Sequence, residues 1–350
     1  MSVTKLDEAE LAARATAAVA TRFPGATVTN VEQLIGGTSS LTYVADMTVT
    51  NVGGPNGGGP NDGAHETRRA VIKAAPPGLE PVRNRDVLRQ ARLFDVLVDH
   101  PEVKVPRVYG TSDGDPPDVP PLFVMSYIAG ESYEPALTAD EPTVSLDELQ
   151  QRAFGAARMA AALHSVDIGA GPLAAERVTD LGAEVERWAR AFGSVDDELR
   201  AGHERVCAAL LAQLPQSQSP SVLHGDFRLG NMQCNGGSVD ALIDWEIWSL
   251  GDRRLDVAWF LLNSDPRHPN SRKTDTGLPE PAALIAAYEE MAGVTIEGLG
   301  WFNALVRYKQ AAASVLIIKN NRKLAQPGVS IEAMLDGRSK LLDSALEQLG

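Results

Sequence analysis

Cysteine is almost missing from this chain: 350 residues contain two, Cys207 and Cys234, and no C-x-x-C pair. A disulfide framework or a thiolate zinc site needs clustered cysteines, so neither organises the fold. Long apolar runs are missing as well, since none approaches the roughly 20 residues that cross a bilayer. The N-terminal MSVTKLDEAELAARATAAVATRF lacks the basic start and apolar middle of a signal peptide. A cytoplasmic protein with no membrane partner is expected. Positive charge is in deficit, with 32 Lys and Arg against 46 Asp and Glu, a net charge of −14. Binding along a phosphate backbone usually needs a basic face, so no nucleic-acid partner is expected. The G-x-x-x-x-G-K-[ST] pattern is also absent, which argues against a P-loop fold.

What is present reads as an ordinary globular protein, 44% hydrophobic and 22% charged. Single cores stop growing near about 250 to 300 residues, so two lobes are expected. Leu6 to Phe23 has helical spacing, with Leu11, Ala15, Ala18 and Val19 on one stripe and a Pro-Gly stop. TVTNVEQLI, LTYVADMTVT and RRAVIKAA then read as strands of an antiparallel meander. NVGGPNGGGPNDGAHE, too rich in Gly, Pro and Asn to pack, reads as a hairpin tip between the second and third. Val87, Ala91, Phe94 and Val98 predict a helix over Val82 to Val98, and PRVYG and PLFVMSYIAGES add two strands. Residues 1–126 therefore read as a small sheet with one crossing helix, 127–132 as a hinge, and 133–350 as a mainly helical lobe. The fold class is α+β.

One β-rich island interrupts the helical half: VLHGDFRLGNMQCNGGSVDALIDWE, Val222 to Glu246. His224, Asp226 and Asn231 stand at the H-x-D-x-x-x-x-N spacing of a kinase catalytic loop, and Asp244 ends the apolar strand ALID. Upstream, AVIK ends a strand at Lys73. Each residue type suits phosphoryl transfer, where catalysis is mostly positioning and neutralisation of charge spread over phosphate oxygens. Asp226 orients the acceptor hydroxyl and takes its proton late. Asn231 and Asp244 offer the hard oxygens that magnesium prefers, and Lys73 reaches the α/β-phosphates. Taken singly, a His-Gly-Asp turn, a strand-final Asp and a strand-end Lys are also common structural features.

LHGDFRLGN followed by LIDWEIWSLGDRRLDVAWFL resembles the aminoglycoside phosphotransferase and choline kinase family, a branch of the protein-kinase-like fold. The resemblance runs from IGGTSSLTYVADM to the terminal helices. It implies a bilobal architecture, with an antiparallel-sheet N-lobe and a larger helical C-lobe. It also implies ATP as phosphoryl donor, GTP remaining admissible, together with Mg2+ and a small hydroxylated substrate. The Gly251, Asp252 and Asp256 pattern matches the family, with Asp252 as a helix cap and Asp256 bonding back to the catalytic loop. The nucleotide loop falls on IGGTSSLTY, where Ser39 and Ser40 cover phosphates. Adenine then lies against backbone groups of Ser126 and Ile128, with Met125 at the gatekeeper place. The register of RDVLRQARLF puts Gln90 where the family carries a Glu, so Lys73 lacks its usual counter-charge unless Glu80 or Asp86 substitutes.

The acceptor's charge is read two ways. Glu289, Glu290, Trp301 and Tyr308 suit a cation, whereas Arg267, Arg272 and Lys273 suit an anion. A nucleotide-binding pseudokinase or regulatory module is the alternative to an enzyme: Gln90 favours it, and the intact Asp226, Asn231 and Asp244 oppose it. D-F-G and A-P-E are absent, with Trp245 and Glu246 in place of Phe-Gly, which argues against a protein kinase. The expected assembly is a monomer or homodimer.

Overall fold

A computed structural model describes residues 6–34, 40–50, 65–136, 138, 142–268, 271–323 and 331–350. The chain divides into two compact units, one of residues 1–130 with 240–247, the other of 131–239 with 248–350. Among the described residues, no helix is long and apolar enough to cross a membrane.

In the first unit, β1 (Thr27–Gln33), β2 (Leu41–Thr50), β3 (His65–Ala74), β4 (Val108–Ser112) and β5 (Leu122–Ser126) form an antiparallel sheet in the order β1-β2-β3-β5-β4. The three expected meander strands are the first three of this sheet; most of the expected hairpin tip, 51–64, lies outside the described residues. Helix α1 (Glu8–Ala20) starts where the Asp7 carboxylate accepts the Glu10 amide at 2.8 Å. Its apolar stripe of Leu11, Ala15, Ala18 and Val19 shares a core with Val28, Tyr43, Met47, Ile72 and Tyr109. The approach is close enough that a Cβ on Gly110 would lie 2.2 Å from the Ala18 carbonyl oxygen.

Helix α2 (Val87–Leu97) is shorter than the sequence pattern predicts. Arg83 has φ +56°, outside the range of a right-handed α-helix, and Arg83–Arg85 form only a short 3-10 turn. Asp86 then caps the helix, accepting the Arg89 amide at 3.0 Å. Val98, placed on the stripe by spacing, lies beyond the last turn and is 47% exposed. The buried face is Val87, Gln90, Ala91, Leu93, Phe94 and Leu97, so Gln90 sits on the apolar stripe of the helix.

The second unit is mainly helical: α3 (Leu146–His164), α4 (Leu181–Gly193), α5 (Asp197–Arg200), α6 (His203–Ala212), α7 (Arg254–Ser264), α8 (Pro281–Ala292), α9 (Leu299–Asn321) and α10 (Ile331–Glu347). A reciprocal Ser145–Glu148 capping box opens α3. Strand β6 (Ser221–Leu223) pairs antiparallel with β9 (Ser249–Gly251); β7 (Met232–Asn235) lies between them in sequence, and β8 (Ser238–Leu242) runs on into the first unit, to which 240–242 belong. Phe192, Trp259, Phe302, Leu305, Tyr308, Val315 and Leu341 belong to one core cluster of this unit. Nearly every residue of α7 is buried, so its polar side chains, Asp256 and Asn263 among them, must find partners inside the protein.

Candidate catalytic loop and lysine cluster

Strand β6 delivers the chain into a tight turn at Gly225, whose φ of +86° is open to glycine at no steric cost. The turn is held from α7: the Asp256 carboxylate accepts the His224 amide at 2.6 Å and the Gly225 amide at 2.9 Å. His164 Nε2 stands 3.5 Å from the same carboxylate. Burial alone would raise the pKa of Asp256, but the hydrogen bond and charge of His164, the charge of His224 and the Gly225 amide outweigh it and hold the group below the ordinary value. Asp256 bonds back to the His224–Gly225 turn, as the sequence pattern predicts. Asp252 is not the cap of α7, whose N-cap is Arg253; its carboxylate instead accepts the Arg254 amide at 3.0 Å, the Arg254 guanidinium at 2.7 Å and the Gln218 amide at 2.9 Å.

Asp226 follows at the end of the turn. Its Oδ1 accepts the Trp259 indole N–H at 2.7 Å, and its Oδ2 accepts the Asn231 amide at 2.8 Å. Arg228 Nε lies 3.3 and 3.2 Å from the two oxygens, a long, shared contact. Burial pushes the Asp226 pKa up, and the charges of Arg228, Lys309 and His224 with the Asn231 bond more than reverse this, leaving it lowered. Asp226 is therefore an ionised, oriented carboxylate near neutral pH. Asn231 ends a 3-10 turn (Leu229–Asn231) and gives its second amide bond to the Asp226 carbonyl at 2.9 Å. Both bonds use Nδ2, which turns the amide oxygen, a hard ligand, away from the carboxylate.

Arg228 also donates to Glu134 Oε2 at 3.3 Å, and that oxygen accepts the Gly230 amide at 3.0 Å. Burial drives the Glu134 pKa up to about 7, against the opposing pull of Arg228 and Gly230. Its other oxygen, Oε1, is buried without a hydrogen-bond partner. Neither Glu134 nor Trp259 was singled out in the sequence. Trp259 could have been found three residues after Asp256 on a helix pattern, but Glu134 sits in an irregular segment with no periodicity to mark it.

In the first unit, Lys73 leaves β3 and donates to Gln90 Oε1 at 3.4 Å and to Glu246 Oε1 at 3.2 Å. The expected lack of a counter-charge is thus corrected: Glu246, two residues beyond Asp244, supplies it. Asp86 does not, being engaged in capping α2 and in pairing with Arg92 at 3.2 Å. Ser40 Oγ donates to the same Glu246 oxygen at 2.5 Å. Trp245, fully buried, packs edge-on to Phe94 with centroids 6.1 Å apart and donates its indole N–H to the Leu242 carbonyl at 2.8 Å. The Trp-Glu pair read as a replacement for Phe-Gly thus puts a buried, hydrogen-bonded tryptophan beside Glu246.

Asp244 is exposed and has φ +65°, the left-handed region that Asp tolerates better than most residues. It belongs to the first unit and Asn231 to the second. Met125 and Ser126 pair with Val71 and Ala70 across β5 and β3; the Ser126 amide donates to the Arg107 carbonyl at 2.9 Å. Ile128 follows in the irregular segment, half-buried. Ser39, with Gly36, Gly37 and Thr38, lies outside the described residues.

The residues read as a cradle for a cation do not form one. Trp301 and Tyr308 are core side chains, donating to the Leu210 carbonyl at 3.0 Å and meeting His203 at 3.1 Å. Glu289 accepts the Ile296 amide at 2.7 Å, and Glu290 is exposed. Helical spacing in α8 and α9 placed them by packing. On the loop after α7, Arg267 pairs with Asp265 at 2.9 Å and Lys273 donates to the Tyr133 hydroxyl at 2.9 Å.

With this geometry in hand, the comparisons are specific. The model of the phosphotransferase enzyme family matches residues 62–302. Acyl-CoA dehydrogenase family member 10 of Mus musculus is 26% identical over 294 residues, which are 80% of this chain and 27% of that protein. The chain thus spans little more than a quarter of the length of that relative. A Ralstonia eutropha protein of the aminoglycoside phosphotransferase type superposes with a TM-score of 0.74 at 19% identity, over 99% of this chain and 98% of the other. A thermostable mutant of aminoglycoside phosphotransferase APH(4)-Ia, in ternary complex with ADP and hygromycin B, gives 0.58 at 15% identity, over 93% and 97%. At these identities the structural likeness bears on the fold.

Proposed function

Because the chain belongs to the phosphotransferase enzyme family, we propose that it transfers the γ-phosphoryl group of ATP to a hydroxyl of a small molecule, with Asp226 as the base. The observation that carries this reading is the Asp226 carboxylate, ionised and fixed on both oxygens by Trp259 and Asn231. Phosphoryl transfer has a loose transition state, so the acceptor proton leaves late and a weakly basic carboxylate suffices. Asp226 aims the hydroxyl oxygen at phosphorus. A bond forms from that oxygen to the γ-phosphorus, the bond to the β,γ-bridging oxygen breaks, and the proton passes to Asp226. The long Arg228 contact is the weakest on the carboxylate, and the acceptor hydroxyl takes its place there; Glu134 keeps Arg228 from drifting.

Lys73 contacts the α/β-phosphates, steadied by Glu246 and Gln90. Ser39 and Ser40 cover phosphates, and adenine lies against the backbone of Ser126 and Ile128 beside Met125, with 127–132 as the hinge. The Asn231 amide oxygen, turned away from Asp226, and the exposed Asp244 carboxylate fit the oxygen chemistry of magnesium and are assigned as its ligands from the sequence motif. Magnesium, when bound, neutralises charge on the β- and γ-phosphoryl oxygens.

For the acceptor, a hydroxylated acyl-CoA is favoured over an aminoglycoside, because the curated relative is named for acyl-CoA chemistry. The Arg228 cation beside Asp226 also suits an anionic acceptor better than a polycation. The test is turnover of magnesium-ATP against hydroxylated acyl-CoAs, aminoglycosides and choline, with the product weighed by mass spectrometry. A phosphate adduct lost in Asp226→Asn supports the reading; no turnover on any acceptor, or turnover unchanged in that variant, overturns it.

A further inference from the structure

The Trp259 bond to Asp226 has a second layer behind it. Lys309, on α9, places its ammonium nitrogen 3.9 Å from the centroid of the Trp259 ring and 5.8 Å from that of Trp188. The same ammonium donates to the carbonyl of Gly225. The turn is therefore clamped from two helices: Asp256 on α7 takes the amides of His224 and Gly225, and Lys309 on α9 takes the carbonyl that follows. The tryptophan held under the ammonium is the one whose N–H reaches Asp226 Oδ1 at 2.7 Å.

A cation over an aromatic face is drawn to its electron density and pulls that density toward itself. An indole so polarised is a stronger N–H donor, and hydrogen bonds in a chain of this kind reinforce one another. The carboxylates that act on the charge of Lys309 are Asp226 first, then Glu184 and Asp256. Glu184 nevertheless spends its short bond on the Trp188 indole at 2.7 Å, and Lys309 rests on the other ring. We propose that Lys309 is a positioning residue for phosphoryl transfer: through the Trp259 ring and the Gly225 carbonyl it fixes the rotamer of the Asp226 carboxylate. The proposal rests on the reading of Asp226 as the base.

The experiment uses the full chain labelled with 15N-tryptophan, in which five indole signals are expected. Trp259→Phe identifies the Trp259 signal. In Lys309→Met its proton signal moves upfield, as the bond to Asp226 weakens, and the signals of Trp245, Trp248 and Trp301, away from the ammonium, stay in place. In turnover, Lys309→Met lowers kcat about 10- to 100-fold, the loss that a misplaced reacting group brings. The KM for ATP stays within about twofold, because no ground-state contact to nucleotide is removed. Lys309→Arg keeps a cation over the ring and recovers most of kcat and the signal position. It also serves if the methionine variant does not fold. An unmoved Trp259 signal in folded Lys309→Met, or an arginine variant that keeps the signal and still loses kcat, overturns the proposal. If instead wild-type turnover survives Asp226→Asn, the base assignment fails, while the indole signal still reports whether Lys309 acts on Trp259.

Discussion

Lys73 and Glu246 form an ion pair at 3.2 Å across 173 residues of sequence, with side chains only 10% and 14% exposed. Ser40 donates to the same carboxylate oxygen and Gln90 accepts from the same ammonium, so the pair is the centre of a four-residue network. A buried pair gains little net stability over an apolar one, whereas removing one partner strands a charge. Its value here is geometric: it holds a flexible side chain in one place.

Glu246→Ala should therefore destabilise the protein by about 3 kcal/mol or more, and raise the KM for ATP as Lys73 loses its anchor. Lys73→Met together with Glu246→Gln should cost less than the sum of the single changes. Urea unfolding of the four proteins in a double-mutant cycle gives the coupling, and strictly additive losses would deny it.

Asp226→Asn preserves shape and removes charge. The expected loss in kcat is about 10²- to 10⁴-fold, the usual contribution of a positioned acid or base. Asp244→Asn, at an exposed side chain, should raise the magnesium concentration needed for half-maximal turnover. A magnesium titration at saturating ATP reads this directly.

Asp256→Asn replaces one oxygen that accepts backbone amides with a competing N–H donor. The inner turn would lose at least one of the bonds at 2.6 and 2.9 Å, and a destabilisation of about 3 kcal/mol is expected. A crystal structure or backbone NMR of the variant should show His224 and Gly225 displaced. Unchanged amide shifts there would contradict the role given to Asp256.

Glu134 makes stability depend on pH in a known direction. Its carboxyl is raised from an ordinary value near 4.5 to about 7, so the folded state holds the proton more tightly than the unfolded chain. Its contribution is full below pH 4.5 and is lost as pH rises through 7. Asp226 and Asp256, both lowered, act oppositely: their contributions are present above the ordinary aspartate value and fade as pH falls below about 4. Glu134→Gln should flatten the stability profile between pH 4.5 and 8, by roughly 2 to 3 kcal/mol relative to wild type. Chemical denaturation at stepped pH tests it.

Much of this was legible in the sequence because it is local. The HGDFRLGN spacing brings Asp226 and Asn231 within hydrogen-bond reach through one short turn, and Asp256 lies on a helix whose pattern is plain. The strands of the sheet are β-branched runs with clear ends. Glu246 was missed because its partner is far away in sequence: only packing of Trp245 against Phe94 shows which way the next side chain leads. Helix α2 began late because backbone strain at Arg83 and capping by Asp86 overrode apolar spacing. The Trp301 and Tyr308 assignment failed for the opposite reason, since aromatics at helical spacing pack into a core unless something polar draws them out.

The stretch 240–247 carries one further consequence. It packs with residues 1–130, filling the face of Phe94 with Trp245 and supplying Lys73 with its anion. A gene fragment ending before it would encode a sheet with an empty apolar notch and a stranded ammonium. The first unit is therefore built from two separate stretches of the chain, and recombination that parts 240–247 from 1–130 loses both contacts.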